Sequence, residues 1–462
     1  MDRRDSTCHD EHDGREHARS DGPHRPTGDS SNTSCRQARR HHVSPRSSPR
    51  VSPHLRPRFV ALLVVPTWIV AFTVGVHEAA VAAPALRRVV RDTDATAMRA
   101  QRAAIDPAAP MSPLDSGEHI YRTTCVACHG ATGSGAPQTT VGFSNPLPDF
   151  TDCNFASRET SADWAAIVRD GGPVRGFSRI MPAFRYLLTP PQIRNVVAYV
   201  HTFCSDRRWP RGEFNLPLAQ VTEKAFPEDE LVLTSAVETS GPGAVSNHLI
   251  WEKRFGARDQ IELDTPFGFT NRPDSSWAGG LGDISFTNKY VLYSSLKSGT
   301  ILSGLAGIVL PTGSAALGLG GGTTTFEGSL LGAQLLPARS FIQYQGTIEI
   351  PTQLAVAPRA ASWSAALGTS VPFSPITRLW SPMVELTGSR DLVSGARTSW
   401  SVVPQMQVTL SALQHVRANI GVNVPVTERD QNHVQVLTYV LWDTFDGPLT
   451  QFWHGWCPGC RR

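Results

Sequence analysis

The chain has 462 residues, with 43 Lys and Arg against 40 Asp and Glu and a formal net charge of +3. So small an excess over this length does not indicate nucleic-acid binding. The length allows several domains, and the character of the sequence changes several times along it.

The N-terminal 57 residues are rich in Arg, His, Ser, Asp and Pro and have almost no large apolar side chains. Such a segment cannot bury a core. We therefore predict that residues 1–57 are a disordered extension, or that translation starts nearer Val43 or Val51 and Met1 is a misassigned start.

Residues 58–82 have the features of an export signal. A basic start is followed by the apolar run Phe59–Val76 and by the small-x-small pattern Ala80-Val81-Ala82. The run is barely long enough to span a bilayer, which favours a cleaved signal peptide over a permanent anchor. The Ala- and Arg-rich stretch 83–110 is expected to be a linker.

The most informative segment is Cys125-Val126-Ala127-Cys128-His129. C-x-x-C-H is the attachment signature of c-type haem, in which two thiols form thioethers with the haem vinyl groups and the histidine ligates the iron. Redox dithiols and zinc sites also use C-x-x-C, but neither needs the trailing His129. The pattern therefore predicts one covalent haem c, bound through Cys125, Cys128 and His129.

A second iron ligand is predicted further along, at Met181. Its thioether sulfur is a soft axial ligand that pairs with histidine, and Pro182 favours an extended loop around it. The alternative is a methionine that fills a gap in a core. His119 and His201 are rival ligands, but both fall on predicted helices, where a histidine is more often at the surface or satisfied by other groups.

Two predicted helices flank these residues. One begins near Ser116 and runs into Cys125, with Gly117 and Tyr121 on one face. The other covers 190–203, with Thr189 as its N-cap and prolines in its first turn. Its apolar stripe is Ile193, Val196, Val197 and Val200. The small Gly117 would let the second helix approach the first closely.

Together, these elements resemble a class I, mitochondrial-type cytochrome c domain over about Met111 to Asp206, and we assign residues 111–208 to it. The resemblance implies a small all-α fold that carries one His/Met-ligated haem for electron transfer. By that analogy His129 is the proximal ligand and Met181 the distal one.

The remaining cysteines fit an oxidising compartment. Cys153 and Cys204 lie inside the cytochrome segment, and a pair in an exported domain is most simply a disulfide, although two buried free thiols are the alternative. Cys457 and Cys460 form a second C-x-x-C in the tail 457–462. It lacks a following histidine, so an inert disulfide or a ragged end is favoured over a redox dithiol.

Residues 209–229 are short, polar and contain three prolines. This composition predicts a semi-rigid spacer that keeps the haem close to the next domain.

From residue 230 to 456 the apolar residues alternate with polar ones, as in half-buried strands. Either a soluble sandwich or a transmembrane barrel would show this pattern. Segments of about ten residues, long polar groups on one face and aromatic residues near strand ends favour the barrel. About twelve strands are expected, centred near Leu233, Ile250, Ile261, Phe286, Leu305, Leu330, Ile342, Ala365, Val384, Met406, Ile420 and Leu437.

An even strand count places both ends of the barrel on one side, expected to be periplasmic together with the cytochrome domain. The turns at 255–259 and 411–413 would face the periplasm. The longer loops at 271–282 and 313–325 would face outward.

The segment Gly280–Tyr290 and the later Leu310-Pro311-Thr312-Gly313 resemble an outer-membrane porin family that is named for phenol meta-degradation clusters. The resemblance implies a channel or uptake barrel in a Gram-negative-type outer membrane. The whole chain is thus predicted to be a multidomain protein, a small all-α cytochrome domain followed by an antiparallel barrel.

Two functions follow from this organisation. The first is a non-enzymatic electron carrier anchored in outer-membrane lipid, which exchanges electrons with a periplasmic redox partner protein. The second is a porin for a small-molecule solute whose haem domain senses or gates the barrel. Ligation by Met181 argues against a haem enzyme, because six-coordinate iron has no open position for a substrate.

Overall fold

The structure is a computed structural model that describes residues 115–239, 243–272, 276–373, 378–411, 414–428 and 433–444. The predicted extension, export signal and first linker, as well as Cys457 and Cys460, lie outside the described residues.

The segment from residue 115 to 214 is helical, as predicted. Its elements are α1 (Gly117–Ile120), a π-helical turn (Tyr121–Cys125), α2 (Val126–His129), α3 (Gln138–Val141), α4 (Cys153–Ala156), α5 (Ser161–Asp170), a 3-10 helix (Gly172–Arg175), α6 (Pro190–Val200) and a second 3-10 helix (Gly212–Phe214).

Helix α6 begins and packs as its sequence predicts. Thr189 is the N-cap as predicted, and Gln192, whose role was not predicted, completes a capping box with it. The apolar stripe is buried: Ile193, Val196, Val197 and Val200. Val196 and Val200 form one core with residues of the first helical segment and of the loop after the haem motif: Ile120, Tyr121 and Phe150.

Gly117 is where α1 and α6 cross. A Cβ atom at Gly117 would lie 2.0 Å from the carbonyl oxygen of Asn195 and 2.9 Å from the Cβ atom of Tyr199. The Gly117→Ala variant must therefore push the two helices apart, and we expect a loss of about 2–3 kcal/mol in the free energy of unfolding of this domain. Denaturant titration followed by the haem absorption measures this loss. The matched control is His119→Ala, at an exposed position of the same helix, which should change the free energy by no more than about 0.5 kcal/mol; equal effects of the two variants would contradict the packing argument.

The second part of the chain is an antiparallel sheet. Its strands are β1 (Glu230–Glu238), β2 (Ala244–Phe255), β3 (Asp259–Asn271), β4 (Trp277–Leu281), β5 (Ile284–Ser295), β6 (Thr300–Leu310), β7 (Thr325–Leu335), β8 (Ser340–Pro351), β9 (Ala360–Thr369), β10 (Val371–Phe373), β11 (Arg378–Asp391), β12 (Ser399–Thr409), β13 (Val416–Pro425) and β14 (Gln435–Asp443).

Twelve of these strands close into a barrel. Each pairs with the next along the chain, except that β3 passes over β4 to β5 and β9 passes over β10 to β11, and β14 pairs with β1. All twelve predicted strand centres fall within these twelve strands, so the sequence prediction of the fold is confirmed. One detail is wrong: β4, which pairs only with β3, lies in the segment 271–282 that was predicted to be a loop.

The barrel wall is apolar outside and polar inside. On β11, Val384 is 51% exposed and Leu386 is 48% exposed, whereas Glu385 between them is fully buried. A soluble sandwich would bury the apolar face and expose the polar one, so this inverted pattern supports the barrel interpretation.

The two ends of the barrel differ. At one, called here the near end, lie the connections 255–259, 295–300, 335–340 and 409–416 together with the start of β1 and the end of β14. At the other, the far end, lie the longer connections 271–284, 310–325 and 391–399. The helical domain enters the barrel through the start of β1, and therefore at the near end. No helix among the described residues is both long and apolar enough to cross a membrane.

Candidate haem site and its junction with the barrel

The C-x-x-C-H segment is fixed by hydrogen bonds on both sides. Cys125 ends the π-helical turn, and Cys128 and His129 lie in α2. The hydroxyl of the fully buried Tyr121 donates to the carbonyl oxygen of Gly130 at 2.7 Å. From the other side, the backbone N–H of Ala136 donates to the carbonyl oxygen of Cys128 at 2.8 Å. These contacts set the direction in which the two thiols and the imidazole project.

The side chains of the motif suit covalent haem. The ring of His129 stacks on Phe150 with 4.9 Å between ring centroids, and its Nδ1 atom is buried without a hydrogen-bond partner in the described part of the chain. Burial lowers the pKa of His129, which favours the neutral imidazole that metals bind. Cys125 and Cys128 are the free cysteines among the described residues, and burial raises the pKa of the Cys125 thiol to about 11.

The loop around Met181 is anchored to the end of α5. The carbonyl oxygen of Met181 accepts from the N–H of Gly172 at 3.0 Å, and the N–H of Phe184 donates to the carbonyl oxygen of Val168 at 3.0 Å. Gly171 turns the chain here with φ +85°, and a Cβ atom on it would lie 3.0 Å from the Met181 carbonyl oxygen. The loop is non-helical, as Pro182 indicates, and its side chain at Met181 is half-buried.

Large apolar side chains near Met181 are exposed. Phe177 is 50% exposed, Tyr186 is 88% exposed and Leu187 is 75% exposed. A small soluble domain rarely exposes such a group of side chains without a ligand or partner to cover it. With two free thiols, an unpartnered imidazole and this apolar surface, the residues fit a haem c. Met181 as its distal ligand stays a prediction.

The rival histidines have other surroundings. His119 is exposed on α1. His201 is buried: its ring lies against Trp164 with 4.9 Å between centroids, and its Nε2 atom is 3.4 Å from the hydroxyl of Ser161. His119 thus matches the expectation of a surface histidine, whereas the Nδ1 atom of His201 is buried without a hydrogen-bond partner among the described residues and its Nε2 atom contacts Ser161.

The burial of His201 makes the domain sensitive to acid. Burial and then the nearby Arg211 lower the pKa of His201 to about 4, below its unfolded value of about 6.5. The folded state therefore binds fewer protons than the unfolded state, and we expect about 3 kcal/mol of stability to be lost as the pH falls from about 6.5 to 4. Unfolding titrations at several pH values measure this slope. In a His201→Gln variant the slope over this range should flatten, and an unchanged slope would assign it to other groups.

A disulfide links Cys153, at the start of α4, to Cys204, just after α6, with an S–S distance of 2.00 Å and a Cα–Cα distance of 5.0 Å. The two cysteines are 51 residues apart. Closing a loop of this size stabilises the domain by about 4 kcal/mol in the chain-entropy model.

The helical domain contacts the near end of the barrel through buried polar groups. Arg158 forms an ion pair with Asp229, just before β1, and Asp229 also pairs with Lys253 at 2.6 Å. The amide nitrogen of Gln414, in the β12–β13 turn, donates to the carboxylate of Asp163 at 2.9 Å. The domain is therefore fixed to the barrel at two places rather than tethered by a flexible chain.

The segment 209–229 is not a spacer. Most of it, residues 214–229, lies inside the near end of the barrel, and we call it the luminal segment. Its buried apolar residues are Phe214, Leu216, Ala219, Ala225 and Phe226. They share a core with inward-facing residues of β5 to β11: Val291, Ile301, Leu305, Leu331, Ala333, Phe341, Ala366 and Met383. The prediction was wrong because prolines and polar residues occur both in spacers and in irregular segments that fill a cavity.

Polar groups of the barrel wall hold the luminal segment by its backbone. The carboxylate of Glu385 accepts hydrogen bonds from three successive N–H groups, those of Gln220 at 3.0 Å, Val221 at 3.1 Å and Thr222 at 2.7 Å. The hydroxyl of Tyr439 donates to the carbonyl oxygen of Leu218 at 2.6 Å. Further wall groups that bond to the segment are Gln260, Lys289, Ser303, Gln343, Gln345, Ser364, Gln407 and Asn419.

Buried charges complete this contact. The ammonium group of Lys224 lies 2.6 Å from a carboxylate oxygen of Glu228 and 2.9 Å from one of Glu230. The guanidinium of Arg254 lies over the ring of Phe226 at 5.3 Å. Through hydrogen bonds, ion pairs or shared apolar packing, the luminal segment interacts with all twelve strands. The anchoring residues were missed from the sequence, although the long polar side chains on the inner face were noted and Phe214, Leu216 and Phe226 are unusual in a spacer.

Comparison with known proteins bears on the helical part. Residues 112–200 match the family model of cytochrome c oxidase, cbb3-type, subunit III. This segment is a cytochrome c domain. The sequence-based recognition is confirmed, although the family model covers much less than half of the chain. No curated protein matches the sequence.

The barrel is similar to solved outer-membrane barrels at low sequence identity. The COG4313 outer membrane channel from Pseudomonas putida F1 is 13% identical, with a TM-score of 0.35, and the match covers 49% of this chain and 99% of that one. The KdgM porin is 6% identical, with a TM-score of 0.32 and coverage of 46% and 98%. The translocator domain of the autotransporter NalP from Neisseria meningitidis is 11% identical, with a TM-score of 0.28 and coverage of 46% and 85%. The barrel assignment rests on the strand pairing described above.

Proposed function

We propose that the protein is an electron carrier in which one haem c, bound by Cys125, Cys128 and His129 with Met181 as the sixth ligand, is fixed to the near end of an outer-membrane barrel. The observation that carries the proposal is the C-x-x-C-H segment of a cytochrome c domain that contacts a closed barrel through a buried ion pair and a buried hydrogen bond. When bound, the haem supplies a one-electron redox centre.

The protein residues do the rest. Cys125 and Cys128 tether the haem, His129 ligates it from one side and the loop at Met181 covers the other. A six-coordinate site changes its charge with little rearrangement and excludes other ligands, which suits electron transfer rather than substrate chemistry. The exposed side chains near Met181 would border the haem and meet a redox partner protein.

The barrel wall and the predicted export signal support the proposed location. The apolar outer face suits outer-membrane lipid. We place the near end and the cytochrome domain in the periplasm, where haem c and the disulfide are compatible with the oxidising conditions. One haem beside an apolar band about 25 Å tall cannot carry electrons across it alone, so the partner is a periplasmic protein.

Spectroscopy of the full-length protein in detergent tests the carrier function. The wild-type protein should be reduced and reoxidised reversibly by one electron, and its ferrous form should not bind carbon monoxide. The matched Met181→Ala variant should keep its covalent haem but bind carbon monoxide and show a lower redox potential. Rapid binding of carbon monoxide to the wild-type protein would exclude the sealed, His/Met-ligated carrier.

A second function is supported by the luminal segment. Because this segment fills the near end of the barrel and ends at Asp229, which pairs with Arg158 of the cytochrome domain, its displacement would open a passage next to the haem. The barrel would then be a small-molecule porin gated at the haem domain. Solute release from liposomes that changes with the redox state of the haem would favour this function over the carrier.

A further inference from the structure

The inner wall of the barrel carries four glutamates in one row of cross-strand neighbours, interrupted by Thr287 and Gly307. In the strand register, Glu252 lies opposite Glu262, and Glu262 lies opposite Thr287. The row continues from Thr287 to Gly307, from Gly307 to Glu327 and from Glu327 to Glu349. Like charges directly opposite on neighbouring strands are destabilising. Two such pairs in one row therefore call for a compensating positive charge.

The row runs from the near end of the lumen toward the far end because the strands are tilted. Glu252 is three residues from the near end of β2, whereas Glu349 is two residues from the far end of β8. The exposure follows this direction, since Glu252 is 7% exposed and Glu349 belongs to the exposed residues. The row is thus enclosed at Glu252, toward the near end, and open at Glu349, toward the far end.

At the enclosed end a third carboxylate comes from the luminal segment. Carboxylate oxygens of Glu223, Glu252 and Glu262 all lie within 4.8 Å of one another. This distance is compatible with shared coordination of one ion, whose oxygen ligands lie at about 2.0–2.6 Å from it.

An independent observation also points to a ligand. The hydroxyl of Thr287, directly opposite Glu262, is buried and has no hydrogen-bond partner among the described residues, and Thr287 is only 7% exposed. The Oε2 atoms of Glu252 and Glu262 are also buried and have no hydrogen-bond partner among the described residues. Buried oxygen atoms of this kind are nearly always satisfied by a partner, water or ion.

The charges leave room for a divalent ion. Lys289 pairs with Glu223 at 2.7 Å. The ammonium of Lys224 is already engaged by two other carboxylates. The three carboxylates of the cluster face one ammonium group, so ionising all three leaves an excess of two negative charges, which one divalent cation matches. Removing charges from water without compensation is costly, so the cluster favours a bound counter-ion.

We propose that Glu223, Glu252 and Glu262, with the hydroxyl of Thr287, form a binding site for a hard divalent cation inside the barrel. The oxygen-only ligand set selects ions such as Mn²⁺, Ca²⁺ or Mg²⁺ over soft metals. Glu327 and Glu349 continue the row toward the far end and lie outside the cluster. The site joins the luminal segment to β2 and β3, and it does not depend on the haem.

Mn²⁺ binding to the full-length, haem-loaded protein tests the site. After chelator treatment in detergent, the wild-type protein should bind one Mn²⁺ with high affinity, measured as the loss of free-ion signal in electron paramagnetic resonance. A Glu252→Gln and Glu262→Gln double variant should bind about 100-fold more weakly, because two anionic ligands are lost. The control Glu349→Gln, in the same row but outside the cluster, should keep the wild-type affinity.

Folding is checked by the haem spectrum and by heat-dependent gel migration. If the double variant fails these checks, Thr287→Val, which removes one neutral ligand at equal volume, should still bind Mn²⁺ about 10-fold more weakly than the wild type. A wild-type protein without a high-affinity Mn²⁺ site would mean that the carboxylates take up protons instead and would overturn the proposal. Equal affinities of the wild-type and Thr287→Val proteins, or of the wild type and a folded double variant, would overturn it as well.

Discussion

Cys125→Ala combined with Cys128→Ala is expected to abolish covalently bound haem completely. Both thioether bonds need a thiol, and these two residues are the free cysteines of the described chain. The measurement is the pyridine haemochrome spectrum of the membrane fraction after acid–acetone extraction, which removes haem that is not covalently bound. Each single variant should keep one thioether, which shifts the absorption maximum of the haemochrome to the red because one vinyl group remains.

The control is the pair Cys153→Ser and Cys204→Ser. It removes the disulfide but leaves the attachment motif intact, so covalent haem should persist on a less stable domain. If haem stays covalently bound in the Cys125→Ala and Cys128→Ala protein, the attachment site lies elsewhere and the functional proposal fails with it. If both double variants lose haem, the loss reflects misfolding, and the single variants then decide the question.

The cytochrome site could be predicted because its signals are local. Cys125, Cys128 and His129 are neighbours in sequence, and their chemistry is specific enough to identify the cofactor. The role of Gly117 could also be anticipated, because a small residue four positions before Tyr121 suggests a helix crossing. Gln192 was missed as a capping residue although it stands three positions after the N-cap Thr189, where a capping box places it.

The barrel could be predicted for a different reason. Strand periodicity repeats along more than two hundred residues, so errors at single positions do not matter, and all twelve centres were correct. Strand β4 was missed because its sequence, Trp277 to Leu281, is glycine-rich and does not alternate. Its pairing with β3 is a tertiary effect that short segments do not reveal.

Sequence periodicity could not predict that the luminal segment lies inside the barrel. Its anchors are far away along the chain: Glu385 lies more than 160 residues after Thr222, and Tyr439 more than 200 after Leu218. Prolines and polar residues are as common in spacers as in irregular segments that fill a cavity. The distinction depends on whether polar partners are available for the backbone, and only the closed barrel supplies them.

Asp229 links the two functional parts of the molecule. It ends the luminal segment, and its fully buried carboxylate is paired with Arg158 of the cytochrome domain and with Lys253 of β2. Removing Asp229 would deprive the buried guanidinium of Arg158 of this carboxylate, which is strongly destabilising. A movement of the cytochrome domain at Arg158 would therefore also displace Asp229, at the end of the luminal segment.

Glu385→Ala is expected to release the luminal segment and open the barrel. The carboxylate of Glu385 is the common acceptor for the N–H groups of Gln220, Val221 and Thr222, and a hydrogen bond to a charged group contributes about 1.5–3 kcal/mol. Loss of all three should raise the open fraction of the barrel by roughly a hundred-fold or more, measured as the open probability in single-channel recordings from planar bilayers.

Graded variants separate release of the segment from general damage to the wall. Glu385→Gln keeps a neutral acceptor at the same place and should give an intermediate conductance. Glu349→Ala, at an exposed position near the far end, removes a carboxylate without touching the luminal segment and should leave the near end closed. If Glu385→Ala conducts no better than the wild type while its haem spectrum and gel migration are normal, then Tyr439 and the apolar core around Phe226 hold the segment without help from this carboxylate. The gating function would then lose its main support, whereas the electron-carrier function would stand unchanged, because it rests on the cytochrome domain and not on an open pore.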